Sequence, residues 1–263
     1  MMMNDDLRQN LVQWLQDLLN SNDRANDKAI CRQIYQALID EFQFDFSQSK
    51  STKTHFGKAL DPRSTAMTLL LPIRNKRFLQ AVVKALDEKK KILYLGTGLF
   101  APFCLFPLLL GYKAQFTLID IDEYCLGILD RVIQRFQLSD HIEEVIQADA
   151  ATWKVNQSYD LVIGAVNDIG MRYEDSFEIH KNILLQLPKA QFIPNDILLY
   201  LEKEDEITAY DSLLQGIKRG QLRTDCPYPK EAKPILQTKV EVDEDLTLEP
   251  GESEITQPIY FYS

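Results

Sequence analysis

Two glycines and two carboxylates stand at spacings that could bind a ligand. Gly96-Thr97-Gly98 follows the apolar run Lys91–Leu95 and precedes Pro102. Glycines placed so let the chain turn sharply and let a ligand lie against the main chain. Asp120 comes 24 residues after Gly96, at the end of a second apolar run, Phe116–Ile119. A carboxylate at that point can accept both hydroxyls of a ribose. Asp149, in Gln147-Ala148-Asp149-Ala150, follows a third run, Glu144–Gln147. A side chain there can reach an adenine edge. Each feature is common alone, and a carboxylate after a strand also caps helices. In this order and spacing they point to an adenosine cofactor held by Gly96, Thr97, Gly98, Asp120, Asp149 and Ala150.

Those residues need a parallel sheet to bring them together. Apolar periodicity predicts helices over Leu7–Leu19 and Ile30–Phe42, separated by the polar stretch Asn20–Asp27. A polar linker, Gln48–Thr54, follows. Next come a helix over Phe78–Leu86, a strand over Lys91–Leu95, and a helix opened by Pro102. Then follow a strand over Phe116–Ile119, a helix over Leu126–Phe136, a strand over Glu144–Gln147 and another over Tyr159–Ala165. A helix over Phe177–Leu187 and a fifth strand over Ile197–Leu201 complete the alternation. Strands alternating with helices indicate a Rossmann-like, mostly parallel α/β sheet covered on both faces. At the end of the chain, Leu236–Val242, Leu246–Leu248 and Pro258–Tyr262 read as β, with a turn at Pro250-Gly251. The expected organisation is an N-terminal helical cap (1–53), a Rossmann-like domain (54–201) and a short C-terminal β extension (202–263).

Composition narrows the function. The chain has 263 residues, enough for one large domain with an extension. Its 39 acidic and 29 basic residues give a net charge of −10, which argues against a broad nucleic-acid face. Cys31, Cys104, Cys125 and Cys226 show no CxxC spacing, and His55, His141 and His180 match no zinc signature. The stretch 92–112 carries no charge over 21 residues. Its length reaches that of a membrane span, but Gly96, Gly98, Pro102, Pro107 and Gly111 divide it into a strand, a turn and a short helix. With no signal-peptide pattern at the N-terminus, the expectation is a soluble, cytoplasmic protein that binds neither nucleic acid nor membrane. The first two helices offer faces for a homodimer or for capping the domain.

The order Gly–Asp–Asp over three strands, within residues 91–165, resembles the class I S-adenosylmethionine (SAM) methyltransferases. Two positions differ from that family's usual pattern: Tyr94 stands where an acid helps hold the methionine amino group, and Phe100 replaces the third glycine. The flanking segments are similar to the protein arginine methyltransferase-like branch. These are Thr54-His55-Phe56-Gly57 with Asp61-Pro62-Arg63, and Phe192-Ile193-Pro194 leading into Leu198-Leu199-Tyr200-Leu201. The resemblance implies SAM as cofactor and Arg63 as the contact to its carboxylate. It also implies a loop of two glutamates that clamp a guanidinium; Asn167 or Asp168 stands at the first position and Glu174 or Glu178 at the second.

Two carboxylates can grip a guanidinium through bidentate bonds and aim one nitrogen at a methyl group. Glu174 and Glu178 are four apart and share a helix face, though an acidic first turn also suits the helix dipole. The implied activity is methyl transfer to a nitrogen, amine or guanidine, of a small molecule or peptide. Gly96–Ala101 also fits the GxGxxA pattern of NAD(P)-dependent oxidoreductases. A non-catalytic binding protein of methyltransferase fold is the third possibility. His55 is read as a packing partner or an acid–base group, Lys76 and Arg77 as a solvated helix start, and Cys104 as packed.

Overall fold

The computed structural model describes residues 6–86, 91–166, 174–203, 206–212, 235–249, 252 and 259–260. Helix α1 (Asp6–Asn20) buries Leu11, Leu15 and Leu18, and α2 (Arg24–Phe42) buries Ile30, Ile34, Leu38 and Phe42. Those spacings place each set on one stripe. Asp23 caps α2 by accepting the Ala25 amide at 2.9 Å. Gln43 closes the helix in the left-handed region, its N–H bonded to Ile39 O.

The short helix α3 (Pro62–Met67) is capped by Asp61 and opened by Pro62. Helix α4 (Pro72–Leu86) begins six residues before the expected Phe78. Its first turns carry few apolar side chains, so periodicity does not reveal them. Their polar groups instead bond within the protein. Lys76, expected to be solvated, pairs with the buried Asp27 of α2 at 3.1 Å and also donates to Ser21 O. It therefore ties α4 to the cap.

The central sheet is built from β1 (Lys91–Leu95), β2 (Gln115–Asp120), β3 (Ile142–Gln147), β4 (Leu161–Gly164) and β5 (Gln191–Ile193). Their order is β3-β2-β1-β4-β5, and every pairing is parallel. Helices α5 (Pro102–Leu109), α6 (Glu123–Arg135) and α7 (Glu174–Gln186) follow β1, β2 and β4 in the chain. All eight residues of α5 are buried, because α1 and α4 both pack against it. The uncharged stretch 92–112 is thus a strand, a turn and a buried helix. No helix among the described residues is long and apolar enough to cross a membrane.

The expected fifth parallel strand, Ile197–Leu201, is a correction. The fifth strand is Gln191–Ile193, in register with Leu161–Ile163 of β4. Pro194 follows at once and has no amide to continue the ladder. The chain then starts β6 (Asp196–Lys203), which belongs to a second, antiparallel sheet. There β6 lies between β7 (Glu206–Ser212) and β8 (Ile235–Asp243), with β9 (Leu246–Leu248) and β10 (Ile259–Tyr260) also paired to β8. The expected C-terminal strands are β8, β9 and β10; the Pro250-Gly251 turn lies outside the described residues. Val240, Val242 and Leu248 join the same apolar core as the parallel sheet, and Lys84 of α4 pairs with Asp243 and Asp245.

Phe100 also finds its reason in the cap. Its ring is 5.3 Å from Phe44 and 6.3 Å from Phe42, while Phe136 of the α6 C-terminus meets Phe42 at 6.4 Å. The side chain that replaces a loop glycine thus anchors the N-terminal helices. Arg131 adds a bond to Phe42 O at 2.9 Å.

Candidate active site

The site grows from the turn after β1. Gly96 and Thr97 both donate their amides to Ile119 O on β2, at 2.8 and 3.3 Å. Gly96 and Gly98 adopt φ of +64° and +59°, the left-handed region that favours glycine. A Cβ at Gly96 would collide with Cγ1 of Val166, and one at Gly98 would stand 3.1 Å from Cβ of Thr65. The turn is therefore clasped between the end of β4 and α3.

Asp120 ends β2 with only 8% of its surface exposed. One carboxylate oxygen accepts the Gly98 amide at 2.7 Å, and the other accepts the Asp122 amide at 3.0 Å. Burial pushes its carboxyl above the ordinary range, and those amide bonds oppose the shift. Asp122 caps α6 through the Cys125 amide at 2.9 Å and accepts the Thr52 hydroxyl at 2.5 Å. Asp149 closes its own turn through the Ala151 amide at 2.9 Å. Its other oxygen accepts the backbone amide of His55 at 2.8 Å. Asp122 and Asp149 together hold the segment 52–55 across the carboxyl edge of the sheet.

Between that segment and the sheet edge lies a cavity of about 580 Å³. Gly96, Thr97, Gly98, Asp120, Asp149 and Ala150 all line it. It sits where the strand order turns from β1 to β4, the place at which open α/β sheets take ligands. Arg63 does not line the cavity. Its residue is exposed on α3, and its amide donates to the Ser49 hydroxyl.

Arg74 lines the cavity instead and is only 4% exposed. Its guanidinium donates to Ala165 O at 2.8 Å and to Asn75 Oδ1 at 3.0 Å. The rings of Phe78 and Phe103 lie 5.3 and 5.5 Å from its central carbon. Burial pulls its pKa below the ordinary value, and the nearby Tyr94 opposes this; a guanidinium keeps its proton in proteins nonetheless. No carboxylate pairs with it among the described residues. Sequence patterns missed Arg74 because it sits in a basic run, Arg74-Asn75-Lys76-Arg77, that looks like a surface. Tyr94 lines the same cavity and is 2% exposed. Burial raises the pKa of its hydroxyl.

His55 is exposed, its ring edge-on to Phe56. His180, which the sequence marks only as matching no zinc signature, is fully buried on α7, with Nε2 3.2 Å from Gly164 O. A Cβ at Gly164 would come within 2.6 Å of that ring. The one signal was a glycine ending the branched run Leu161–Ile163. Cys104 is packed, and burial raises its thiol pKa. Of the residues expected to contact a substrate, Glu178 pairs with Lys181 at 3.2 Å and does not line the cavity. Glu174 is the first residue of α7, and Asn167 and Asp168 lie outside the described residues.

Fold and cavity define the class: a Rossmann-like α/β protein with a ligand cavity at the carboxyl ends of its parallel strands. No family model and no curated protein matches the chain. Among solved structures it is similar to one described as the Trypanosoma brucei PRMT1 enzyme–prozyme heterotetrameric complex with AdoHcy. The identity is 11%, the match covers 72% of this chain and 81% of that one, and the TM-score is 0.45. It is also similar to a structure described as StiE O-MT residues 942–1257, at 16% identity over 48% of this chain and 44% of that one, with a TM-score of 0.35.

Proposed function

We propose that this chain is a SAM-dependent methyltransferase acting on a nitrogen, amine or guanidine, of a small molecule or peptide. One observation carries the proposal: a buried carboxylate, Asp120, and a buried guanidinium without a carboxylate partner among the described residues, Arg74, line a single cavity. A ligand with a ribose diol at one end and an anionic amino-acid tail at the other satisfies both. The carboxylate of Asp120 accepts the Gly98 and Asp122 amides and keeps acceptor capacity for a ribose hydroxyl. Asp149 offers acceptor capacity toward the adenine edge. Arg74 meets the tail carboxylate with charge-assisted bonds.

When bound, SAM supplies a methyl group on a sulfonium. The protein's part is to hold donor and acceptor in line, which lowers the barrier by prepaying the entropy of bringing them together. The segment 52–55, held by Asp122 and Asp149, fixes Thr54 in the cavity wall. Asn167, Asp168, Glu174 and Glu178 are the proposed contacts to the acceptor nitrogen. The cavity volume suits a small-molecule site.

The test is methyl transfer from radiolabelled SAM to a panel of amines, guanidines and arginine peptides, with SAM, S-adenosylhomocysteine and NAD(H) titrated in parallel. Binding of SAM and its product, with transfer to a nitrogen, supports the proposal. Binding of NAD(H) in their place replaces it with an oxidoreductase.

A further inference from the structure

The segment that crosses the carboxyl edge of the sheet is a small hairpin. Ala59 donates its amide to Thr52 O at 2.9 Å, and Thr54 donates to Gly57 O at 3.1 Å. Between those two bonds Lys53 and Lys58 stand directly opposite each other. A cross-strand pair flanked by backbone bonds but making none itself brings its side chains closest, with Cα atoms about 4.5 Å apart. Side chains alternate between the faces of such a hairpin. Thr52 reaches the buried Asp122, so its face meets the sheet, and Lys53 and Lys58 project from the other. Both lysines are exposed. Among the described residues neither pairs with an acid, whereas Lys76, Lys84, Lys91, Lys181 and Lys239 each do. Like charges placed directly opposite destabilise a hairpin, and an anion bound to both relieves the repulsion.

Two more cations flank the base of the hairpin. Arg63 donates its amide to the hydroxyl of Ser49, the neighbour of Lys50. Residues 50–63 thus carry four cations and only one of the chain's 39 acids, Asp61, which caps α3. On a chain of net charge −10, this is a positive patch on an acidic molecule. Phe56 at the hairpin tip and Leu60 are 37% and 49% exposed, and Leu60 and Lys58 both line the cavity. Exposed apolar side chains among cations match a short peptide that carries acids and an apolar residue. A nucleic acid or an anionic membrane presents a wider field of negative charge, which the acids elsewhere on the chain repel. Resting on the methyltransferase reading for the chemistry in the cavity, we propose that this hairpin is the docking face for the acceptor, an acidic peptide. Its carboxylates bridge Lys53 and Lys58, and its nitrogen reaches the cavity past Lys58 and Leu60.

The test is fluorescence anisotropy of the full chain with short labelled peptides at low salt. The peptides share an arginine and a phenylalanine and differ only in flanking glutamate, glutamine or lysine. The glutamate peptide should bind at least about tenfold more tightly than the glutamine one, and the lysine peptide most weakly. Molar salt should erase the preference, because exposed charges are screened. Lys53→Glu sets opposite charges across the hairpin, so its melting temperature should hold or rise while the glutamate peptide loses about tenfold in affinity. Lys58→Glu, the mirror change, gives a second reading of the same loss. The proposal is overturned if the three peptides bind alike, or if both variants keep the preference for glutamate. It is also overturned if a single-stranded RNA oligonucleotide or phosphatidylserine vesicles bind more tightly than the glutamate peptide. S-adenosylhomocysteine titrated into the same sample reports the methyltransferase reading separately. Its binding without a glutamate preference removes only the docking face; a glutamate preference without its binding removes only the methyl-transfer chemistry.

Discussion

The amide of Gly98 donates to the carboxylate of Asp120 at 2.7 Å. That bond joins the turn after β1 to the end of β2 and shapes one wall of the cavity. Asp120→Ala should leave the Gly98 and Asp122 amides without their acceptor, at a cost of about 1–3 kcal/mol each where water does not replace it. S-adenosylhomocysteine affinity should fall at least about tenfold, the worth of one charge-assisted hydrogen bond. Thermal unfolding and calorimetry check the two effects separately. An unchanged affinity would remove Asp120 from the ribose site.

Gly96 and Gly98 share a backbone conformation but differ in their neighbours. Gly96→Ala meets Cγ1 of Val166 directly, whereas Gly98→Ala meets Cβ of Thr65 at 3.1 Å. Both carry about 1 kcal/mol or more of left-handed strain. Gly96→Ala should therefore be the more destabilising, and adding Val166→Ala should recover part of the loss. A double-mutant cycle on denaturant midpoints measures that coupling.

Lys76 and Asp27 form a pair whose side chains are 13% and 7% exposed. Lys76→Met leaves a buried carboxylate without its partner and should cost about 3–5 kcal/mol. The double variant Asp27→Leu with Lys76→Met should cost much less, because both charges go together. Equal loss in the single and double variants would contradict this account of the α2–α4 contact.

Burial, with the charge of Asp27 adding to it, pushes the thiol of Cys31 up to about 12. Its folded pKa lies above that of an unfolded cysteine, about 8.5. The neutral thiol therefore contributes stability that is fully present below pH 8.5 or so and is lost as pH rises through the folded value. Stability measured from pH 8 to pH 11 should fall more in the native chain than in Cys31→Ala. Native Cys31, Cys104 and Cys125 should also resist alkylation at neutral pH until the chain unfolds.

Thr52 and His55 reach the two carboxylates that hold their segment over the sheet. Thr52→Val removes the hydroxyl bonded to Asp122 and should cost about 1 kcal/mol. Amide exchange at residues 52–55 should rise more than in α6. Uniform exchange across both would show that the hydroxyl does not fasten the segment.

Much of this architecture was legible in residue order. Lys91–Leu95 and Leu246–Leu248 are strands at their expected bounds, because short apolar runs beside turn residues leave little choice. The first two turns of α4 were not legible. Apolar periodicity does not count Arg74, Asn75 and Lys76, whose polar groups bond to Ala165 O, to Thr68 and Leu69 O, and to Asp27. The placement of Arg74 at the cavity wall was hidden for the same reason, while Arg63 is exposed. Phe100 read as a disturbed glycine loop, since nothing local shows that Phe42 and Phe44 wait to pack on it. Phe192-Ile193-Pro194 read as leading into the next strand, but nothing local shows that this strand changes sheets.

The most direct measurement is calorimetric titration of S-adenosylhomocysteine into the native chain and into Asp120→Ala, with NADH as the competing ligand. The account predicts micromolar, one-to-one binding to the native chain, marked weakening in the variant and no heat from NADH. Binding of NADH with none of S-adenosylhomocysteine would contradict it.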